Sequence, residues 1–177
     1  MNRSIGIFYG SKEGNTKRIA QQLKAQFEKL LVPLPYSIEL LDVADYYVAE
    51  MVDFDYLVLG ISTWDSGQMQ ADWEDALDEL DEVDLSGKQV ALFGLGDQVG
   101  YPQTFLDAMF FLAEKVRQRG ANIVGKWSTD GYDFDSSWAA EDGHFIGLAV
   151  DEDNQPDLTE MRLTIWAVQL KLEFGLN

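Results

Sequence analysis

Apolar residues fall into two alternating textures along this chain. Ile5-Gly6-Ile7-Phe8-Tyr9 is a short apolar run ending at Gly10, as in a buried strand. From Thr16 the period lengthens. Ile19, Ala20, Leu23, Phe27, Leu30 and Leu31 recur every three to four residues, one face of a helix that Pro33 and Pro35 end. Ser37–Leu41 reads as a second strand and Ala44–Met51 as a short helix. Tyr56–Ile61 is a third strand, nearly all apolar, as expected where both sheet faces are covered. Trp73, Leu77 and Leu80 mark a helix, and Gln89–Phe93 a fourth strand. Phe105, Met109, Leu112, Ala113 and Val116 mark another helix, ended by Gly120, and Asn122–Lys126 a fifth strand. Met161, Ile165, Val168 and Leu172 form the apolar stripe of a last helix starting near Asp157 or Thr159. Regular alternation predicts an α/β fold: a doubly wound, five-stranded parallel sheet with helices on both faces and right-handed crossovers.

One stretch departs from the alternation. About thirty residues, Trp127 to Pro156, lie where a connection of roughly 2–6 is usual. Trp127, Tyr132, Phe134, Trp138 and the run Phe145–Val150 make this segment too apolar for a disordered loop. It reads as an insertion over 127–150 that interrupts the fifth strand, which resumes near His144–Val150. Its aromatics are expected to pack as a flap over the sheet edge, with docking as the other reading, and His144 is expected to be structural.

Composition narrows the function classes. The 177 residues suit one domain, 1–177, and 46% hydrophobic content excludes an acidic disordered chain. Lys and Arg number 13 against 31 Asp and Glu, a net charge of −18. Phosphate-bearing partners, nucleic acid and anionic membrane alike, would be repelled, and basic proteins attracted. With no cysteine, disulfides, thiolate chemistry and Cys-ligated zinc or iron–sulfur clusters are excluded, and a single histidine excludes a multi-His metal site. No run approaches the roughly 20 apolar residues of a membrane helix. Met1-Asn2-Arg3-Ser4-Ile5 leads straight into the first strand without an apolar leader. A cytoplasmic monomer is expected.

In an open parallel sheet, ligands bind beyond the carboxyl ends of the strands. Three loops leave that edge with unusual chemistry. Gly10-Ser11-Lys12-Glu13-Gly14-Asn15-Thr16 joins strand to helix with hydroxyls, an amide and a central glycine, the ingredients of an anion cradle at a helix start. It matches neither the Walker A nor the G-x-G-x-x-G spacing, and the plainer reading is a helix capped by Asn15 or Thr16. Ser62-Thr63-Trp64-Asp65-Ser66-Gly67-Gln68-Met69 carries an aromatic plate at Trp64, whereas Trp73 is expected to fold onto the core. Gly94-Leu95-Gly96-Asp97-Gln98-Val99-Gly100-Tyr101-Pro102 lets backbone approach a ligand closely and ends on a second plate, Tyr101. Two aromatic plates and an anion cradle suit a flat, phosphorylated ligand.

These three loops, in this order and spacing, resemble those of the flavodoxins, and the insertion resembles their long-chain subclass. The likeness spans essentially the whole chain, including the tail Asp151–Leu158. It implies strand order 2-1-3-4-5 and a tightly, non-covalently bound FMN. By the same resemblance Ser11, Lys12, Glu13, Gly14, Asn15 and Thr16 hold the phosphate. Trp64 covers the inner flavin face and Tyr101 the outer. Thr63, Asp65, Gly96 and Asp97 line the ring's polar edge, Ser66, Gly67 and Leu95 also belong to the cofactor site, and Asp153 sits nearby. Glu13 departs from the family pattern, which has a hydroxyl there. A carboxylate beside a phosphate is repulsive unless it points outward or pairs with Lys12.

The implied function is a low-potential electron carrier substituting for ferredoxin, an FMN protein shuttling between semiquinone and hydroquinone, and not an enzyme. Partners implied by the family are ferredoxin-NADP reductase, pyruvate-flavodoxin oxidoreductase, photosystem I and nitrogenase reductase. An FMN-dependent NAD(P)H:quinone reductase of the same fold is the alternative. It needs an open pocket over the flavin, which Tyr101 would cap. A phospho-receiver needs an Asp where Ile61-Ser62 ends the third strand. From Asp72 to Asp84 eight carboxylates occur with no Lys or Arg between, on a helix that is either a solvated face or a docking face beside the flavin. A negatively charged protein disfavours a reduced flavin anion, lowering its potential. The one-electron-reduced flavin gains an N5–H, and a carbonyl within Trp64–Gly67 is expected to turn toward it. A crystal structure of that form with no carbonyl within hydrogen-bond distance of N5 would refute the turn.

Overall fold

The computed structural model describes residues 3–176. The elements are β1 (Arg3–Tyr9), α1 (Asn15–Leu31), β2 (Tyr36–Asp42), β3 (Tyr56–Trp64), β4 (Gln68–Met69), α2 (Ala71–Leu80) and β5 (Gln89–Leu95). They continue with α3 (Asp107–Gln118), β6 (Asn122–Val124), β7 (Trp127–Ser128), β8 (Ala140–Glu141), β9 (His144–Phe145), β10 (Leu148–Val150) and α4 (Thr159–Glu173). The short helix expected over 44–51 is a 3-10 helix at Val48–Asp53, and another, Pro156–Leu158, leads into α4.

The main sheet runs β10-β5-β3-β1-β2 with parallel pairing throughout this path. Counted as five strands this is the order 2-1-3-4-5, with two differences of detail. β4 forms an antiparallel ribbon on the end of β3, and two short strands share the fifth position. β6 pairs with Gln89–Ala91 of β5, and β10 with Phe93–Leu95. The break has a local cause. Gly125 takes φ 83°, a left-handed conformation that ends the strand. Its carbonyl accepts the Trp166 indole N–H at 2.8 Å and its N–H donates to Glu173 at 2.6 Å, so α4 fixes the turn.

Between the two halves β7, β9 and β8 form a small antiparallel sheet. His144–Phe145 belongs to this ribbon, and the resumed strand begins only at Leu148. The His144 side chain is exposed, and its structural part is in the backbone pairing of β9, opposite Ser128 and Glu141. Tyr132, Phe134 and Phe145 do pack as expected, against Phe105 and one another, with ring centroids 5.2–6.0 Å apart. Trp138 does not: it stays 64% exposed beside Phe110 and Phe111.

Separate apolar cores cover the two sheet faces, one including residues of α2 and α3, the other residues of α1 and α4. The fully buried Trp73 belongs to the first. α4 buries Leu163, Trp166, Ala167 and Leu170, so its stripe of Met161, Ile165, Val168 and Leu172 lies exposed instead. Because α4 is apolar on both sides, periodicity alone could not select the buried face.

Gly147 sits where β10 approaches β5. A Cβ there would lie 2.1 Å from the Leu92 carbonyl oxygen, which is backbone and cannot rotate away. Gly147→Ala is expected to destabilise the fold by about 3 kcal/mol or more, read as a lowered urea midpoint.

Candidate functional site

Parallel register sets Tyr9, Gly60 and Phe93 level across β1, β3 and β5. The loops after these strands therefore emerge together. With Glu152-Asp153 after β10 they enclose a cavity of ≈ 320 Å³, within the usual range for small-molecule sites. Ser11, Lys12, Glu13, Asn15, Thr16, Thr63, Trp64, Asp65, Leu95, Gly96, Asp97, Tyr101 and Asp153, all named from sequence, line it. Gly14, Ser66 and Gly67 do not line it and belong to the loops that shape it. Ser62 and Glu152 line it without having been named from sequence. Ser62 merely prolongs the β3 run, and Glu152 sits in an acidic stretch indistinguishable from a solvated tail.

The first loop begins against β3. Gly10 N–H donates to the Gly60 carbonyl at 3.2 Å, and so does the buried indole of Trp73 at 2.8 Å. A Cβ on Gly10 would lie 2.2 Å from Gln70 Oε1, the group that accepts Trp73 N–H and caps α2. Gly14, at φ 92°, is the N-cap of α1, a correction to the expected Asn15 or Thr16. No side chain caps this helix and no acid occupies its first turn. Its amides and positive dipole end therefore stand at the cavity, suited to an anion. Ser11 Oγ accepts Gly14 N–H at 3.1 Å, and the buried Thr16 hydroxyl bonds to that of Ser62. Lys12 and Glu13 are both exposed and, among the described residues, form no ion pair. The cation engaged at the rim is Arg18, bound to Glu152 at 2.6 Å and Asn15 at 3.2 Å.

β3 and β4 are joined by a tight hairpin in which Asp65 (φ 42°) and Gly67 (φ 86°) are left-handed. Thr63 Oγ1 accepts the Ala108 N–H at 3.2 Å, anchoring the hairpin to α3. Trp64 is half-buried, and its Nε1 is sequestered from solvent without an acceptor. Across the mouth the Tyr101 hydroxyl donates to Asp65 at 3.4 Å.

A buried carboxylate shapes the third loop. Asp151, fully buried, accepts Gln98 N–H at 3.1 Å, Gln98 Nε2 at 2.6 Å and Asn154 N–H at 3.0 Å. Gln98 Oε1 in turn accepts Asp133 N–H at 2.6 Å, tying the insertion to the loop. Asp97 accepts the N–H groups of Gly100 at 2.7 Å and Val99 at 3.0 Å. The Gly100 amide, with help from Asn154 and Val99, holds the Asp97 carboxyl below its ordinary range. Asp153 moves the other way, raised first by partial burial and then by Asp97, Asp151, Glu152 and Glu13.

Chemically the site offers two aromatic surfaces, a helix start able to take an anion, an indole donor lacking its acceptor, and a rim of carboxylates. None of α2's acids lines it. Asp72, Asp75 and Glu79 instead line a separate groove with Asp45, Tyr46 and Tyr47. Among the described residues no group of three or more His, Cys, Asp or Glu could hold a metal ion.

Comparison with known proteins gives one consistent answer. The flavodoxin family model matches residues 7–166. A flavodoxin of Nostoc sp. is 48% identical over 99% of this chain and 100% of its own. One of Picosynechococcus sp. is 49% identical over 97% of this chain and 98% of its own. The crystal structure of Fusobacterium nucleatum flavodoxin bound to flavin mononucleotide superposes with TM-score 0.89 at 35% identity, covering 97% of this chain and 99% of that one.

Removing the buried Asp151 carboxylate leaves the donors of Gln98 and Asn154 unsatisfied. Asp151→Ala is expected to cost about 2–3 kcal/mol and isosteric Asp151→Asn less, both measurable by urea denaturation.

Proposed function

The chain belongs to the flavodoxin family and is an FMN-based electron carrier, and from that premise we propose which of its residues hold the cofactor and which surface meets its partners. The length and interrupted fifth strand fit the long-chain subclass. We read 1–177 as one FMN-binding domain. The observation that carries the assignment is the cavity's composition: an uncapped helix start at one end, Trp64 and Tyr101 on its walls, and an unpaired buried indole donor. A planar, phosphorylated cofactor fits all three.

In this reading the α1 start, with Ser11, Lys12, Glu13, Gly14, Asn15 and Thr16, takes the phosphate. Lys12 adds a positive charge, and the exposure of Glu13 keeps its carboxylate in water. Trp64 and Tyr101 exclude water from the ring faces. Thr63, Asp65, Leu95, Gly96 and Asp97 meet the ring's polar edge, and Ser66 and Gly67 set the hairpin that carries it. Bound FMN supplies one-electron acceptance and release. The protein adds the field in which that charge is taken up, and carboxylates at Asp97, Glu152 and Asp153 oppose further negative charge. This supports a low potential and a role in place of ferredoxin. The Tyr101–Asp65 contact across the mouth disfavours an NAD(P)H:quinone reductase, which must admit a second substrate.

Charge identifies the partner class. At net −18 the carrier is steered toward basic redox proteins, ferredoxin-NADP reductase among them. Pyruvate-flavodoxin oxidoreductase, photosystem I and nitrogenase reductase remain the further candidates. No helix among the described residues is long and apolar enough to cross a membrane, and we place the carrier in the cytoplasm.

The visible spectrum tests the cofactor reading. Flavin bands that bleach stepwise with dithionite are expected, and a protein that takes up no FMN overturns it. Rapid NADPH oxidation with quinone by the isolated protein would restore the reductase reading. Asp153→Asn removes one negative charge from the cavity lining, and the potential should rise by on the order of 20 mV, the effect of a unit charge acting across roughly 10 Å of water. The sign for stability follows from the raised carboxyl. Asp153 favours folding fully below its unfolded pKa and loses that contribution as pH rises through the folded value. Asp153→Asn should therefore leave stability flatter as pH rises above the ordinary carboxylate range, and no lower at neutrality. Reversing Glu74 and Asp75 to Lys should slow reduction by ferredoxin-NADP reductase, most at low salt. Unchanged rates in dilute buffer would remove α2 from the docking surface.

A further inference from the structure

Five carboxylates line the cofactor cavity, Glu13, Asp65, Asp97, Glu152 and Asp153, against one ammonium group, Lys12. Three of the five have partners. Asp97 accepts the amides of Gly100 and Val99, Glu152 pairs with Arg18 at 2.6 Å, and Asp65 accepts the Tyr101 hydroxyl at 3.4 Å. Asp153, after β10, adds to the field at the ring. Glu13 is placed differently. It lies inside the loop that starts α1, between Ser11, whose Oγ accepts Gly14 N–H at 3.1 Å, and the buried Thr16 hydroxyl. Its side chain is exposed and, among the described residues, forms no ion pair. Its charge still reaches the cavity, because it is one of the groups that raise the Asp153 carboxyl.

The donors at this end are neutral. They are the uncapped amides of α1 and the hydroxyls of Ser11 and Thr16, aided by the helix dipole. A phosphate monoester brings about −1.5 to −2 charges near neutral pH. Full charges act on it over longer range, and here they come as two successive residues of opposite sign. Lys12 and Glu13 both line the cavity, both stand in water, and neither is neutralised by the other. Arg18 is already engaged by Glu152. Lys17 does not line the cavity, and its charge acts on Asp42. The attraction of Lys12 for a phosphate is therefore opposed by Glu13.

We infer that Glu13 limits how strongly this chain prefers a phosphorylated flavin to the unphosphorylated one, riboflavin. The inference rests on the reading of the cavity as an FMN site. Lys12 raises the preference and Glu13 lowers it, so the phosphate is held chiefly by neutral amides and hydroxyls. The surfaces that both flavins share, Trp64 and Tyr101, take no part in the discrimination.

Dissociation constants of FMN and riboflavin for the full-length chain, read from flavin fluorescence, test the inference. The measurements are made at about pH 8, where a phosphate with a second pKa of about 6 is a dianion. Glu13→Gln keeps the length of the side chain and removes its charge. It should tighten FMN binding on the order of fivefold at about 0.05 M NaCl, the effect of a unit charge on a dianion through water. The gain should shrink at about 0.5 M NaCl, where screening is stronger. Lys12→Gln should loosen FMN binding to a similar extent. The variant with both changes should fall between the two, as expected of side chains that are not paired. Riboflavin affinity should be the same in all three variants and the wild type, which also reports that the ring site is intact. An FMN affinity that Glu13→Gln leaves unchanged, a gain shared equally by riboflavin, or a gain indifferent to salt overturns the inference. A wild-type chain that binds neither flavin overturns the reading of the cavity itself, and the inference with it.

Discussion

The carbonyl of Gly60 is the point on which the geometry of the cofactor site turns. It is buried in the central strand, and both of its acceptor positions are used by groups from other elements: the Gly10 amide and the Trp73 indole. A buried carbonyl left unpaired would cost free energy, so these two contacts fix where the first loop begins and how α2 lies. The glycines make the contact possible. A side chain at Gly10 would meet Gln70 and Trp73, and one at Gly60 would lie 2.1 Å from the Phe93 ring. The first loop and the start of α2 are thus held against β3 by one peptide group.

Carboxylates in the site divide by how they are satisfied. Asp97 accepts backbone amides and is comfortable as an anion, organising its own loop. Asp151, buried behind it, spends its oxygens on Gln98 and Asn154 and thereby links the cofactor loop to Asp133 of the insertion. Asp153 has no such donors and is surrounded by like charge. The first two shape the site, whereas the third mainly contributes field. This gives the insertion a physical connection to the third loop of the cavity through Gln98, while its exposed Trp138 makes no contribution to that connection.

Much of this was legible in the chain. Alternating strand and helix periods are set by backbone geometry, so the α/β order, the parallel sheet and the interrupted fifth strand followed from the pattern. Most residues lining the cavity were legible because ligand loops need residue types that cores do not use: glycines, hydroxyls and an aromatic among polar neighbours. Errors fell where local sequence is degenerate. The N-cap of α1 was assigned to Asn15 or Thr16 because their side chains are good caps, but the left-handed Gly14 took that place and freed Thr16 to bond Ser62. His144 was put in the resumed strand because an apolar run gives no sign of where pairing changes partner.

What the sequence determined by itself was the fold class, from its strand and helix periods, and, through its resemblance to the flavodoxins, the family and the FMN cofactor. Only the tertiary structure decided which side of α4 is buried. Both of its faces are apolar, and a helical period fixes spacing, not direction. The choice was made by the indole of Trp166 reaching the Gly125 carbonyl and by Leu163 and Leu170 meeting the sheet. That choice left Met161, Ile165, Val168 and Leu172 facing outward, exposed to solvent instead of part of the core.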